Sequence, residues 1–165
     1  MTYQIRQANP DDGTELLELW HGFTSHLSEH DDRYEHKETA NDRWLQYFEN
    51  QLVDSKYGTV IVAEHEESGE LVGVLEARIM GNHPIFRLQD HGYINGHFVA
   101  ESHRGNGVGA ALLDEVHEWF AQSPKDIDFY RVDVIHGDDQ SEAFYEANDF
   151  EPVEHVFERS IDQEQ

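Results

Sequence analysis

Three glycines and an arginine form the segment of this chain that is best suited to binding a charged ligand. Arg104, Gly105, Gly107 and Gly109 follow an apolar run typical of a strand and open a segment with helical periodicity. Glycines let main-chain N–H groups approach a ligand closely, and a helix N-terminus adds partial positive charge. The arginine can add a charge-assisted hydrogen bond. We therefore predict a pyrophosphate cradle, which comprises Arg104, Gly105, Asn106, Gly107, Val108, Gly109 and Ala110.

Three known phosphate-binding loops compete for this segment. A dinucleotide fingerprint needs G-x-G-x-x-G early in a βαβ unit, whereas Gly105 opens only G-x-G-x-G, late in the chain. A nucleoside-triphosphate loop needs Lys and then Ser or Thr, and none of these follows Gly109. The third pattern, Arg/Gln-x-x-Gly-x-Gly/Ala between a strand and a helix, is present as Arg104-x-x-Gly107-x-Gly109 and resembles motif A of the GCN5-related N-acetyltransferase (GNAT) superfamily. The structural alternative is a glycine turn that binds nothing.

A second segment resembles motif B of the same superfamily, Asn-x-x-Ala-x-x-Phe-Tyr-x-x-x-Gly-Phe. Three positions match that pattern, namely Phe144, Tyr145 and Phe150. The Asn, Ala and Gly positions carry Asp138, Ser141 and Asp149. Asp138 can still cap a short helix through its side-chain oxygen, and Asp149 can enter the left-handed region where glycine is usual. Two partial motifs in the right order identify the chain as resembling a GNAT protein over residues 92–150.

The resemblance implies a fold as well. The patterns along the chain give the order β-α-α-β-β-β-α-β-α-β, which is that of the GNAT fold. We expect an α+β protein, an α/β/α sandwich whose central mixed, mostly antiparallel sheet has six to seven strands, flanked by helices and splayed between strands 4 and 5. The last strand should cover residues 154–159, and a Thr39-x-x-Asp42 capping box should start the second helix. The length of 165 residues fits a single GNAT domain over residues 1–165.

The resemblance also implies where acetyl-CoA binds. The splay admits the pantetheine arm, whose amides pair with main-chain groups of His97, Phe98 and Val99, while the glycine segment holds the pyrophosphate and Asp138 lies beside the cofactor. In the family, the tyrosine at the position of Tyr145 lies near the sulfur and can protonate the departing thiolate. For Tyr145, packing within an aromatic cluster is the structural alternative.

The residue that deprotonates the amine stays open at this point. An ammonium must lose a proton before its nitrogen attacks the thioester, and the resulting oxyanion needs a donor, for which the Val99 N–H is the candidate. The strand around Asn95 most resembles the polyamine (diamine) acetyltransferase branch, which carries a glutamate at that position. The remaining candidates for the proton acceptor are Glu76, His97 and Tyr93, and Asn95 could orient a water molecule.

Composition restricts the partners. The chain has 35 acidic and 11 basic residues, a formal charge of −24, and no cysteine. Such a charge disfavours nucleic acid and anionic membranes as partners. The dispersed acidic residues resemble those of cytoplasmic proteins from salt-in halophiles. No apolar run is long enough to span a bilayer and no signal pattern precedes the first strand, so we expect a cytoplasmic location.

We also expect no metal ion. Among the twelve histidines, His26 and His30 could share a helix face, but the sequence spacing fixes no third ligand and no His-Glu-x-x-His is present. His83, His91 and His103 fall in predicted loops and predict no ligand set.

These features predict an enzyme that moves an acetyl group from acetyl-CoA to a primary amine by direct attack. The acidic balance and the diamine-like strand favour a small cationic amine. Acetylation of protein amines is one alternative, and a non-catalytic acyl-CoA sensor or interaction module on the same fold is the other. The resemblance further implies a homodimer, formed through the C-terminal strands.

Overall fold

A five-stranded sheet lies at the centre of the computed structural model, which describes residues 2–52, 55–81 and 84–162. The strands are β1 (Tyr3–Gln7), β2 (Gly58–His65), β3 (Leu71–Met80), β4 (His91–Val99) and β5 (Tyr130–Val132). They lie in the order β1-β2-β3-β4-β5, with the first four antiparallel and β5 parallel to β4. The mixed, mostly antiparallel sheet expected from the sequence is therefore confirmed.

Helices cover both faces of this sheet. The helices are α1 (Gly13–His30), α2 (Asn41–Tyr47), α3 (Val108–Ala121) and α4 (Asp139–Ala147). Alternate residues of a strand face opposite sides. Val62 and Val74 accordingly pack with Leu16 of α1, whereas Ile61 and Leu75 pack with Leu112 of α3. The two central strands, β2 and most of β3, are buried on both faces, which explains why β2 reads as a continuous β-branched run. No helix in the described ranges is both long and apolar enough to cross a membrane.

The expected number of six to seven strands is wrong, since the described residues form five. Residues 154–159, the predicted last strand, have no ladder partner and run along the surface. Val156 and Phe157 are 94% and 92% exposed. A strand pairs its N–H and C=O groups with a neighbouring strand, and within the described residues no strand forms a ladder with this segment. Ion pairs from Glu154 to Arg131 and from Glu158 to Arg33 hold it instead.

The predicted capping of the second helix is also wrong. A single 3-10 turn, Glu38–Ala40, runs directly into α2, and the N-cap residue Ala40 has helical dihedrals and no side-chain cap bond. An N-cap side chain needs an extended residue at that position, so the Thr39 box cannot form. At α4 the predicted cap is confirmed, because Asp138 Oδ1 accepts from the Ser141 N–H at 3.2 Å. Asp149 lies in the left-handed region, with φ 72°.

Strands β4 and β5 separate after three residue pairs. Their register ends at Ile94 and Val132, while β4 continues to Val99 along β3. Glu76 pairs with Gly96 and the next β3 residue with Ile94, so Asn95 is an extra residue in a β-bulge. The splay predicted between strands 4 and 5 is therefore present, and the bulge lies where it begins.

Candidate active site

The N-terminus of α3 presents a row of free main-chain donors. Gly105 and Gly107 have φ 81° and 79°, a region that glycine enters without steric penalty. The first hydrogen bond of the helix runs from Ala111 N to Gly107 O, at 3.0 Å. Within the described residues, no main-chain acceptor pairs with the N–H groups of residues 105–110. These donors lie at the positive end of the helix dipole, so the arc suits an anion.

The side chain of Arg104 connects this arc to the end of β4. Its Nε donates to the carbonyl oxygen of Val99 at 2.9 Å, and its guanidinium lies 5.3 Å from the centre of the Phe98 ring. The cation therefore rests on an aromatic face. The Nε–H is used within the chain, whereas the terminal Nη groups of this exposed residue remain for a ligand.

Beyond the bulge, β4 has one edge turned toward the splay. The Ala100 N–H donates to the Val72 carbonyl of β3 at 2.8 Å. Main-chain groups alternate between the two sides of a strand, so those of His97 and Val99 face the gap beside β5. The same alternation directs the main-chain groups of Phe98 toward β3. Of the three residues predicted to pair with pantetheine, His97 and Val99 therefore have the required orientation and Phe98 does not.

A short chain of hydrogen bonds joins α4, β4 and α3. The Tyr145 hydroxyl is 3.0 Å from His97 Nδ1, and His97 Nε2 is 3.1 Å from the Gly109 carbonyl oxygen. A carbonyl only accepts, so Nε2 carries the imidazole proton and Nδ1 accepts from the phenol. This tautomer follows from the hydrogen-bond partners. Burial lowers the pKa of His97 to about 4, so the ring is neutral at physiological pH.

Tyr145 belongs both to this chain and to the core. It is 9% exposed, and its ring contacts Phe144 and Phe150 edge-on, with centroids 5.2 Å apart in each pair. Burial raises the pKa of Tyr145 well above that of an ordinary tyrosine, and the Asp138 carboxylate acts in the same direction. The phenol therefore keeps its proton at neutral pH. The aromatic packing given as an alternative accompanies the polar role and does not exclude it.

Glu76 is a buried carboxylate next to the bulge. It is 4% exposed and accepts a hydrogen bond from the Tyr47 hydroxyl at the end of α2. Burial raises the pKa of Glu76, while the bond from Tyr47 and the charge of Arg78 lower it by less. The same surroundings raise the pKa of Tyr47 to about 12. A carboxyl group whose pKa moves toward neutrality is suited to accept a proton.

Asn95, the extra residue of the bulge, has a buried side-chain Nδ2 that meets no acceptor in the described residues. A buried donor without a partner costs about 1–3 kcal/mol. Such groups are found where a ligand or a water completes the bonding. Asn95 thus directs an unsatisfied donor at the point where β4 and β5 part.

Tyr93 does not take part in this arrangement. Its hydroxyl donates to Asp133 at 2.5 Å, and burial together with that carboxylate raises the pKa of Tyr93 to about 12. Sequence reasoning missed Tyr47, because an aromatic residue on a short amphipathic helix indicates only packing. The signal that could have found it is an aromatic hydroxyl on the helix expected to cover the β3 glutamate.

The chain is similar to known proteins in sequence pattern and in fold. The sequence pattern described as the Acetyltransferase (GNAT) family matches residues 16–150. No curated protein sequence matches the chain significantly. A point variant of BH1408 from Bacillus halodurans superposes with a TM-score of 0.78 at 20% identity, covering 96% of this chain and 99% of that chain.

Two enzymes of solved structure are similar to the same extent. AAC(6')-Iy in complex with the bisubstrate analogue CoA-S-monomethyl-acetylneamine gives a TM-score of 0.76 at 20% identity, covering 97% of this chain and 99% of that chain. Glucosamine-6-phosphate N-acetyltransferase from Arabidopsis thaliana gives 0.70 at 16% identity, covering 98% and 100%. At these identities the likeness shows a common fold, an open mixed sheet that parts between β4 and β5.

Proposed function

The chain belongs to the acetyltransferase (GNAT) family, and from this premise we propose that it transfers an acetyl group from acetyl-CoA to the primary amine of a small cationic acceptor. The observation that carries the proposal is the arc of free N–H groups over residues 105–110, directly beside the open edge of β4. An anion and an extended amide-bearing arm are the two parts of coenzyme A that such an arrangement suits.

Each part of acetyl-CoA has a matching group in this proposal. The pyrophosphate accepts hydrogen bonds from the N–H groups of residues 105–110 and from the Nη atoms of Arg104. The pantetheine amides pair with main-chain groups of His97 and Val99. The thioester oxygen meets the Val99 N–H, which stabilises the oxyanion of the tetrahedral intermediate. Tyr145 then lies beside the sulfur, with Asp138 at the start of the same helix.

The proton leaves the acceptor ammonium for Glu76, either directly or through a water held by Asn95. The amine nitrogen attacks the carbonyl carbon, the C–S bond breaks, and the departing thiolate takes the phenolic proton of Tyr145. The nitrogen loses its second proton as the tetrahedral intermediate collapses, and this proton reaches the Tyr145 phenolate through solvent. Glu76 releases its own proton to solvent, so one proton is released for each acetyl group transferred. His97, with a pKa of about 4, is too weak a base for the first step. Its place in the proposal is to position the Tyr145 hydroxyl.

Electrostatics favours a cationic acceptor. A cleft of about 250 Å³ on the α1 side of β4 includes four carboxylates, Glu15, Glu18, Glu70 and Glu101. Together with the net charge of −24, they concentrate cations and repel a phosphorylated acceptor such as the one named for the Arabidopsis neighbour. The AAC(6')-Iy neighbour was captured with an acetylneamine analogue, which supports an amino sugar beside the diamine predicted from the sequence.

An amine panel with a thiol-detecting assay tests the proposed function. Diamines, polyamines, aminoglycosides and a peptide N-terminus are each mixed with acetyl-CoA and the protein, at low and at high salt because the composition resembles that of halophiles. Thiol release with a cationic amine is the expected result. Calorimetric binding of acetyl-CoA without release for any amine would instead indicate the sensor, and the absence of both would contradict the proposal.

Gly107→Ala should weaken binding of coenzyme A. Its φ of 79° strains any residue with a Cβ by about 1–3 kcal/mol, and relief of that strain moves the donors of the arc. We expect a 5- to 100-fold higher Kd by calorimetry. Gly69→Ala is the matched control, because Gly69 has φ 73° in a distant hairpin with equally open space around it. An equal Kd for both variants would contradict the proposed cradle.

The homodimer implied by the family resemblance stays a prediction. Its support is the surface segment that follows α4, where Val153, Val156 and Phe157 are 61%, 94% and 92% exposed without a neighbouring strand. Apolar side chains in an unpaired extended segment favour pairing with a second chain. Light scattering coupled to size exclusion should give twice the mass of one chain. The mass of a single chain would contradict the prediction.

A further inference from the structure

Three metal-ligating side chains meet between α1 and α4. His26 Nε2 lies 2.8 Å from Asp138 Oδ2, and His30 Nε2 lies 3.9 Å from Asp138 Oδ1. The three ligand atoms are all within 4.8 Å of one another. Both imidazoles thus direct the same ring nitrogen at the two oxygens of one carboxylate.

The fold supplies the ligand that the sequence spacing could not. His26 and His30 are four residues apart and share one face of α1. Asp138 is 112 positions from His26 and arrives at this face as the N-cap of α4. Sequence spacing fixes no third ligand for the histidine pair, because separation along the chain conceals the contact with Asp138.

The carboxylate is held in place while the histidines stay accessible. Asp138 is 5% exposed, and the Ser141 N–H and hydroxyl donate to its two oxygens at 3.2 and 2.8 Å. Carboxylates that bind metals are commonly fixed by such outer hydrogen bonds. The side chains of His26 and His30 are 26% and 25% exposed, so an ion can reach them from solvent.

An ion pair alone accounts for only half of this geometry. The 2.8 Å contact between His26 and Asp138 is a hydrogen bond. The 3.9 Å contact from His30 to the other oxygen is too long for one. In a tetrahedral site with bonds of about 2.0–2.2 Å, ligand atoms lie roughly 3.3–3.5 Å apart. The three ligand atoms lie within 4.8 Å of one another, so shifts of roughly 1–1.5 Å bring them to that separation.

We infer that His26, His30 and Asp138 form a binding site for one divalent transition-metal ion of the zinc or cobalt type. Two imidazole nitrogens and one carboxylate oxygen suit these ions, whereas calcium and magnesium prefer oxygen ligands throughout. Three protein ligands leave a fourth position open to solvent or a ligand. The ion would join α1 to the start of α4, and this goes beyond the proposed acetyl transfer.

Cobalt and zinc titrations of the chelator-treated full-length protein test the inference. Tetrahedral Co²⁺ gives visible absorption bands, and calorimetry with Zn²⁺ gives the stoichiometry and the Kd. The wild type should bind one ion per chain and unfold at a higher temperature when zinc is present. His30→Ala should raise the Kd at least tenfold. The His30 side chain makes no hydrogen bond within the described residues, so this variant should still fold.

His36→Ala is the matched control, taken from the ten histidines outside the proposed site. His36 is also partly buried and in ring contact with a second histidine, His21. Both donate to the amide oxygen of Asn41, and neither has a carboxylate partner in the part of the chain that the structure describes. This variant should bind cobalt and zinc as the wild type does. Absence of binding by the wild type, or equal affinities for His30→Ala and His36→Ala, would overturn the inference. Binding of coenzyme A is measured separately, so loss of the metal site and loss of the proposed function are distinguishable.

Discussion

Glu76→Gln is expected to lower kcat/KM for the amine by about 10²- to 10⁴-fold, the range that general acid–base catalysis contributes. The glutamine keeps the shape of the side chain and can accept the Tyr47 hydrogen bond, but it cannot take a proton from the acceptor. The wild type should lose kcat/KM as pH falls through the raised pKa of Glu76. The variant should lack that acid limb, while its Kd for coenzyme A stays within about threefold.

As pH rises, the free energy of unfolding of the wild type should fall while its kcat/KM rises. Because folding raises the pKa of Glu76, the carboxyl binds its proton more tightly in the folded chain. Its contribution to the free energy of unfolding is greatest below the unfolded pKa and is lost as pH rises through the folded pKa. Glu76→Gln should therefore gain stability over the wild type above neutrality and gain little in acid. Denaturant unfolding of the variant and the wild type, above neutrality and in acid, measures the difference in their free energies of unfolding.

Glu64→Gln on β2 is the matched control for this substitution. Glu64 pairs with Arg6 and its side chain is 27% exposed, so its substitution removes a carboxylate from the sheet away from the bulge at Asn95. We expect kcat/KM within about twofold of the wild type, because a partly exposed ion pair contributes only about 0–1 kcal/mol to stability. If Glu76→Gln behaved like this control and kept the acid limb, Glu76 would not be the proton acceptor.

Tyr145→Phe is expected to lower kcat by about 10²-fold, at the lower end of the range for general acid catalysis, because a thiolate leaves readily even without a proton. The phenylalanine keeps the edge-on contacts with Phe144 and Phe150 and loses only the hydroxyl bonded to His97. Binding of coenzyme A should change by less than threefold. Stopped-flow detection of the thiol measures the chemical step.

Three further variants make the test of Tyr145 specific. His97→Asn keeps a group that can accept from the phenol, so it should retain more activity than His97→Ala if His97 acts by positioning Tyr145. Tyr34→Phe is the matched control, because Tyr34 is 53% exposed. An unchanged kcat for Tyr145→Phe would mean that the thiolate departs without this proton, and would remove Tyr145 from the mechanism.

Sequence patterns correctly predicted the features that depend on neighbouring residues alone, such as backbone conformation and helix capping. The glycine segment before α3 could be predicted because glycine adopts the positive φ of Gly105 and Gly107 without steric penalty. The cap by Asp138 could be predicted because the capping bond spans three residues. The conformation of residues 154–159 could not be predicted, because an alternating pattern shows that a segment suits a strand but not whether a neighbouring strand pairs with it.

Contacts between distant parts of the chain could not be predicted from the sequence. The neutral tautomer of His97 depends on Gly109 and Tyr145, which come from two other elements. Histidine type and position alone suggested a base, whereas burial lowers its pKa to about 4. The partnership of Tyr47 with Glu76 likewise arises only when α2 packs on the sheet. Protonation states follow from tertiary surroundings, which residue spacing does not encode.

The central claim is that the main-chain donors at the start of α3 hold the pyrophosphate of coenzyme A. A crystal structure of the complex with coenzyme A measures this most directly. The account predicts pyrophosphate oxygens at about 2.7–3.2 Å from amide nitrogens within residues 105–110, and pantetheine along His97 and Val99. Coenzyme A bound elsewhere, with the amides of residues 105–110 bonded to neighbouring carbonyls, would contradict it.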